Sequence, residues 1–145
     1  LYADLRFASQ TASFTTAFAR RGLVAEHGID WILPRLVGLP NAIDLLLSGR
    51  KITAEEALQM GLVNKVFSPE SFMSEVRAYA LEMATMVSPR SMRVMKHQLF
   101  RAQNLDFGAA LYASIPDVAE SLSSEDFKEG VAHFVEKRPP NFRGR

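Results

Sequence analysis

LLLSGRKITAEEALQMGLVNKV, Leu45 to Val66, strings helix, turn and strand signals together in one short span. A leucine-rich run opens it, with Ile43, Leu46 and Leu47 at helical spacing, Asn41 as a plausible N-cap and Gly49 as the stop. Thr53 and Glu56 follow at the spacing of a capping box, in which each side chain accepts from the other's backbone N–H. The spacing predicts a short helix that finishes at Gly61, and Leu62 to Phe67, with Val63 and Val66, reads as a strand.

Upstream, Leu1, Ala3, Leu5 and Phe7 alternate with Tyr2, Asp4 and Arg6, the period of a half-buried strand. A strand pattern already under way at the first residue, with no initiating Met, predicts a fragment whose sheet partners lie in an upstream part. Phe14, Ala17 and Phe18 predict a short helix or turn before Gly22. The Ile29 to Val37 run contains Pro34, which excludes a regular helix interior or forces a kink. Between these lies GLVAEHG, Gly22 to Gly28, with a single carboxylate, Glu26, among apolar residues and glycines. Apolar surroundings raise a carboxyl pKa toward the range where it exchanges protons near neutral pH, making Glu26 a candidate base. The alternative is a helix N-terminal acid stabilised by free backbone N–H groups and the helix dipole.

Beyond Phe67 the chain becomes helical. Ser68 with Pro69 and Ser88 with Pro89 are N-cap and first-turn proline pairs. Apolar stripes run through Phe72, Val76, Tyr79, Ala80, Met83 and Val87, then through Met92, Met95, Leu99 and Ala102. A third passes Leu111, Ile115, Val118 and Leu122, with Pro116 as an expected kink, and Ser123 with Asp126 can cap a fourth that reaches Phe134 and Val135. Four amphipathic helices behind two isolated strands need a further sheet or neighbouring subunits to cover their apolar faces.

With 145 residues, 48% of them hydrophobic, the chain suffices for one packed domain or part of one. Lys and Arg number 17 against 16 Asp and Glu, so no general field attracts nucleic acid. Absence of cysteine excludes disulfides and thiolate chemistry and fits a reducing compartment. No apolar run approaches the roughly 18 residues that span a bilayer, and no signal pattern opens the chain, so a cytoplasmic location is expected, without membrane or nucleic-acid partners. His97 and His133 lie on separate helical patterns and suggest no metal site. His27 adjoins Glu26 and either orients it through a hydrogen bond or is structural.

DLRFAS (Asp4 to Ser9), ASF (Ala12 to Phe14), RRGLVAEHG (Arg20 to Gly28), LPRLVG (Leu33 to Gly38), the Leu45 to Val66 run and FVEKRPPNF (Phe134 to Phe142) together resemble the crotonase, or enoyl-CoA hydratase/isomerase, superfamily. The resemblance covers essentially the whole chain and places it in the family's second half. It implies an α/β fold: residues 1–67 as the C-terminal part of a β-β-α spiral core, and 68–145 as a helical region that mediates trimers, often stacked into hexamers. It implies an acyl-CoA substrate, with coenzyme A as part of that substrate and no further cofactor. The glycine-containing loops that polarise the thioester carbonyl would lie upstream of Leu1, so 145 residues alone should be inactive.

Hydratases of the family resemble one another in using two glutamates, and aligning RRGLV puts the second at Phe18, which can neither accept a proton nor orient water. Glu26 instead falls where the family's isomerases resemble one another in carrying an acidic base. Double-bond isomerisation is therefore expected over hydration, with a non-catalytic CoA-binding or oligomerisation protein as a further alternative. Phe18 and Trp31 are expected to wall the base as substrate-binding residues, or else to be core aromatics like Phe14. At the C-terminus, Phe134 and Lys137 match positions that contact CoA, the ring toward adenine and the lysine toward phosphate. Arg138, Arg143 and Arg145 close by would add positive charge.

Overall fold

The capping box closes as the Thr53 to Glu56 spacing requires. In the computed structural model, which describes residues 1–145, the Thr53 hydroxyl accepts the Glu56 amide at 3.2 Å and Glu56 accepts the Thr53 amide at 2.9 Å. The helix it starts, α3 (Ala54–Gln59), presses Ala54 and Ala57 into the interior. Gly61, at φ +79°, then turns the chain, and the Leu62 and Val63 amides return to the Ala57 carbonyl. Arg50 donates to Asp44 and to Glu56 at 2.8 Å each, which ties the preceding helix α2 (Leu39–Ser48) to α3.

Contacts divide the chain into two compact units, Leu1–Val76 and Arg77–Arg145. In the first, β1 (Phe7–Ser9) pairs in parallel with β4 (Lys65–Phe67), Phe7 opposite Lys65, and β2 (Ser13–Phe14) pairs antiparallel with β3 (Ile52–Thr53). Helix α1 (Ile29–Val37) packs on α2, and Leu33, Val37, Ala42, Leu45, Ile52, Leu62 and Val63 form the core with the α3 alanines and Ala8. Fully burying a branched aliphatic such as Leu33 or Ile52 contributes about 1.5–3 kcal/mol.

The second unit contains most of α4 (Phe72–Met86) together with α5 (Pro89–Ala102), α6 (Phe107–Ser123) and α7 (Glu125–Glu136). Ser88, Asp106 and Ser124 cap α5, α6 and α7 through their side-chain oxygens. Helix α6 packs against both α5 and α7. Only Ser88, Arg90 and Asp126 are buried in this unit, and no apolar residue is. No helix of the chain is long and apolar enough to cross a membrane.

Several local expectations are corrected. The strand expected from Leu1 is confined to Phe7–Ser9, because residues 1–5 are exposed and Arg6 bends back to the Ala3 and Leu62 carbonyls at 2.7 Å each. Phe14 belongs to β2 rather than to a helix, and only Ala19–Arg21 form a 3-10 turn. Pro34 and Pro116 sit inside continuous helices. Near the start of the short α1, Pro34 forgoes only a bond to the carbonyl of exposed Asp30. Helix α2 begins at Leu39 with Pro40 in its first turn, so Asn41 lies inside it and donates to the Val37 carbonyl. Ser68 accepts the Ser71 amide, but α4 starts later, at Phe72, and α7 is capped by Ser124 instead of Ser123.

Candidate functional site

A cavity of about 230 Å³ opens in the first unit, lined by Phe14 and Phe18 and by Ile29 and Leu33 of α1. Thr15 and Thr16 also face it, yet their hydroxyls donate to the Gly49 and Leu45 carbonyls at 3.0 and 2.7 Å. With both protons engaged and no charged side chain in the lining, the wall is apolar and suits a hydrocarbon. Ala17 adopts φ +53°, a left-handed conformation that costs an L-residue roughly 1–2 kcal/mol. The Thr15 hydroxyl accepts the Ala17 amide at 3.2 Å and holds the bend immediately before Phe18.

Glu26 stands at the turn leading into α1. His27 and Gly28 take φ +55° and +71°, and the Glu26 carbonyl accepts the Ile29 amide at 3.1 Å. The Tyr2 hydroxyl donates to the His27 carbonyl and braces the same turn. This places Glu26 three residues before cavity-lining Ile29, but its carboxylate is 46% exposed, 3.7 Å from His27 Nε2 and outside the cavity lining. The expected apolar enclosure is thus corrected. Phe18 does line the cavity, whereas Trp31 is half exposed, with the Arg35 guanidinium stacked 3.7 Å over its ring. Leu33 and Val37 take the inward side of α1, and Trp31 with Arg35 share another, one turn apart. Leu23 and Val24, apolar neighbours of Glu26 in sequence, are exposed as well.

A second group of candidates lies where α7 ends. Lys137, at φ +52°, closes the helix by donating its amide to the His133 carbonyl, and Phe134, one turn back, is 79% exposed. Lys137 makes no ion pair, in contrast to two of the arginines expected to assist it. Arg138 binds both carboxylate oxygens of Glu129, one at 2.9 Å, and donates to Glu136 at 2.6 Å. Arg145 pairs with Glu125. The Arg138 guanidinium, followed by the Asn141 amide, holds the Glu129 carboxyl down to about 2. Phe134 also borders a cavity of about 460 Å³ lined by Arg90, Ser121, Asp126 and Phe142.

Glu129, Asp126 and Arg90 carry no local sequence signal of these roles. Ser88 is legible as a cap, but the carboxylate it reaches, Asp126, is 38 residues away.

Three comparisons bear on this arrangement. The family model described as Enoyl-CoA hydratase/isomerase matches residues 1–145. A probable enoyl-CoA hydratase of Rhodobacter capsulatus is 40% identical over 146 residues, covering 100% of this chain and 56% of the relative. The 1,2-epoxyphenylacetyl-CoA isomerase of Escherichia coli is 29% identical, covering 98% of the chain and 54% of that protein. Among solved structures, a probable enoyl-CoA hydratase/isomerase from Mycobacterium abscessus superimposes with a TM-score of 0.93 at 29% identity, over 99% of this chain and 56% of the other. The chain spans about half the length of the curated relatives it matches.

Proposed function

The chain belongs to the enoyl-CoA hydratase/isomerase family and has its α/β crotonase fold; from that premise we propose that it serves an enzyme that shifts a double bond in an acyl-CoA thioester, with Glu26 as acid and base. The observation that supports isomerisation over hydration is Phe18 in the apolar cavity wall. Adding water across a double bond requires groups that hold and deprotonate that water, and Phe18 supplies neither. Isomerisation needs a single carboxylate that takes a proton from C2 of the acyl chain and returns it at C4. We assign that role to Glu26 from its match to the acidic position of the family's isomerases; its turn stands three residues before cavity-lining Ile29, with the carboxylate itself outside the lining. Charge that builds on the thioester oxygen calls for fixed hydrogen-bond donors, typically worth about 3 kcal/mol each.

Phe134 and Lys137 serve as coenzyme A contacts in this reading, ring against adenine and ammonium against phosphate. Coenzyme A arrives as part of the substrate, and the reaction as written needs no other cofactor. The bare apolar faces of α5 to α7 support assembly with further copies, as a trimer or stacked hexamer: Phe107 is 85% and Tyr112 74% exposed, and no apolar side chain of this unit is buried.

Hydration of a 2-enoyl-CoA is the second reading, favoured by the name of the Rhodobacter relative. A spectrophotometric comparison of a 3-enoyl-CoA with crotonyl-CoA as substrates of the full-length protein separates the two. Faster conversion of the 3-enoyl-CoA to its 2-enoyl isomer is expected, and faster hydration of crotonyl-CoA would replace the first reading with the second.

A further inference from the structure

We propose that Glu129 is a positioning residue, which by clamping Arg138 and the Asn141 amide fixes the turn after α7 so that Lys137, and not Arg138, is the cation offered to the phosphates of a coenzyme A thioester. The proposal rests on the reading of Lys137 as a phosphate contact and adds to it the device that sets its position.

Arg138 is the more obvious phosphate ligand of the two, since its planar fork suits bidentate binding of an oxyanion. In this structure that fork is already occupied. Nη1 and Nη2 meet the two oxygens of Glu129, and Nε meets Glu136 at 2.6 Å. The same Glu129 carboxylate accepts the Asn141 amide at 2.7 Å, so one side chain on α7 grips the chain on both sides of Pro139 and Pro140. Two further contacts complete the turn: the Arg138 amide donates to the His133 carbonyl at 3.2 Å, and the His133 ring lies 3.3 Å from the Arg138 carbonyl. Between these anchors Lys137 is held in the left-handed region, its amide bound and its ammonium unpaired, one turn from exposed Phe134. The bonds that hold this backbone bend thus also decide which cation stays free.

Electrostatics alone makes the opposite forecast. Removing the Glu129 charge releases a guanidinium beside the phosphates, which should tighten binding and steepen its salt dependence. A positioning role requires weaker binding instead.

Binding of coenzyme A to the full-length protein, measured by titration calorimetry, tests this with Glu129→Gln, Lys137→Ala and the double variant, and with Arg138→Met as a second way to open the clasp should Glu129→Gln fold poorly. Glu129→Gln and Arg138→Met are each expected to weaken binding about tenfold and to speed hydrogen exchange at the Asn141 amide. The double variant is expected to bind no worse than Lys137→Ala alone, because residues that act through one contact are not additive. Unchanged or tighter binding by Glu129→Gln, with Lys137→Ala impaired, overturns the proposal and leaves the phosphate reading intact. Losses that simply add in the double variant also overturn it, since they mark a general structural effect. Unaltered binding by Lys137→Ala overturns the phosphate reading itself, and the positioning role with it.

Discussion

The Ser88 hydroxyl donates to Asp126 at 2.6 Å while accepting the Ser91 amide at 3.0 Å, so one oxygen caps α5 and fastens it to α7. Asp126 also accepts the Arg143 and Gly144 amides at 2.8 and 3.0 Å, which draws the C-terminal residues onto the same point. With Arg90, which donates to Ser121 at 2.8 Å, these two are the buried residues of the helical unit. Its centre is therefore a hydrogen-bonded polar network.

Loss of that hub should be costly. Asp126→Ala strands the buried Ser88 hydroxyl and removes the acceptor of the Arg143 and Gly144 amides, which water can reach, so a net loss of about 1–3 kcal/mol is expected in urea unfolding. A loss below about 0.5 kcal/mol, the size of an ordinary surface substitution, would show that the network does not hold the unit together.

Acid should act through the same residue. Burial pulls the Asp126 carboxyl upward, but hydrogen bonds from Ser88 and from the Arg143, Gly144 and Arg90 backbone outweigh it and hold the group below its ordinary value. A carboxyl lowered by folding contributes stability that is fully present above the unfolded-state value of about 4 and is lost as pH falls through the folded-state value. Glu129, held down to about 2 by Arg138, acts in the same direction. Unfolding midpoints should stay level down to about pH 5 and fall below about pH 4, less steeply in Asp126→Ala. An equal slope in the variant would remove Asp126 from the acid response.

Gly61 is a test of the first unit. A Cβ there would lie 3.3 Å from the Leu36 carbonyl oxygen, at φ +79°, whereas at Gly22, φ +68°, it would meet open space. Gly22→Ala should cost the backbone term alone, about 1 kcal/mol, and Gly61→Ala roughly 1 kcal/mol more. Equal thermal shifts for the two would mean that the Leu36 carbonyl yields freely.

Tyr112 and Ile115 stand exposed along α6. If further copies cover this helix, Tyr112→Glu or Ile115→Glu places a charge in a dry interface and should shift the sedimenting species toward the monomer. A parental species in both variants would mean that α6 is not the contact.

What the sequence makes legible here is mostly short in range. The Thr53–Glu56 box and the Ser88 cap depend on residues three positions apart, and their geometry leaves few alternatives. Pairings across many residues, such as Ser88 with Asp126 or Glu129 with Arg138, leave no periodic trace. Orientation within apolar runs is equally hidden. Ile29 to Val37 is apolar nearly throughout, so its composition cannot say that Leu33 turns inward while Trp31 lies beneath Arg35. The setting of Glu26 is hidden for a related reason: Leu23 and Val24 are its neighbours along the chain but do not enclose it, and both are exposed.

The most direct measurement is the rate at which full-length Glu26→Gln protein converts a 3-enoyl-CoA to the 2-enoyl isomer, with coenzyme A affinity determined in parallel. General-base catalysis by a placed carboxylate contributes about 100- to 10,000-fold, so kcat should fall by at least about 100-fold while coenzyme A binding stays at the parental level. Isomerisation at the parental rate would contradict the assignment of Glu26 as the base.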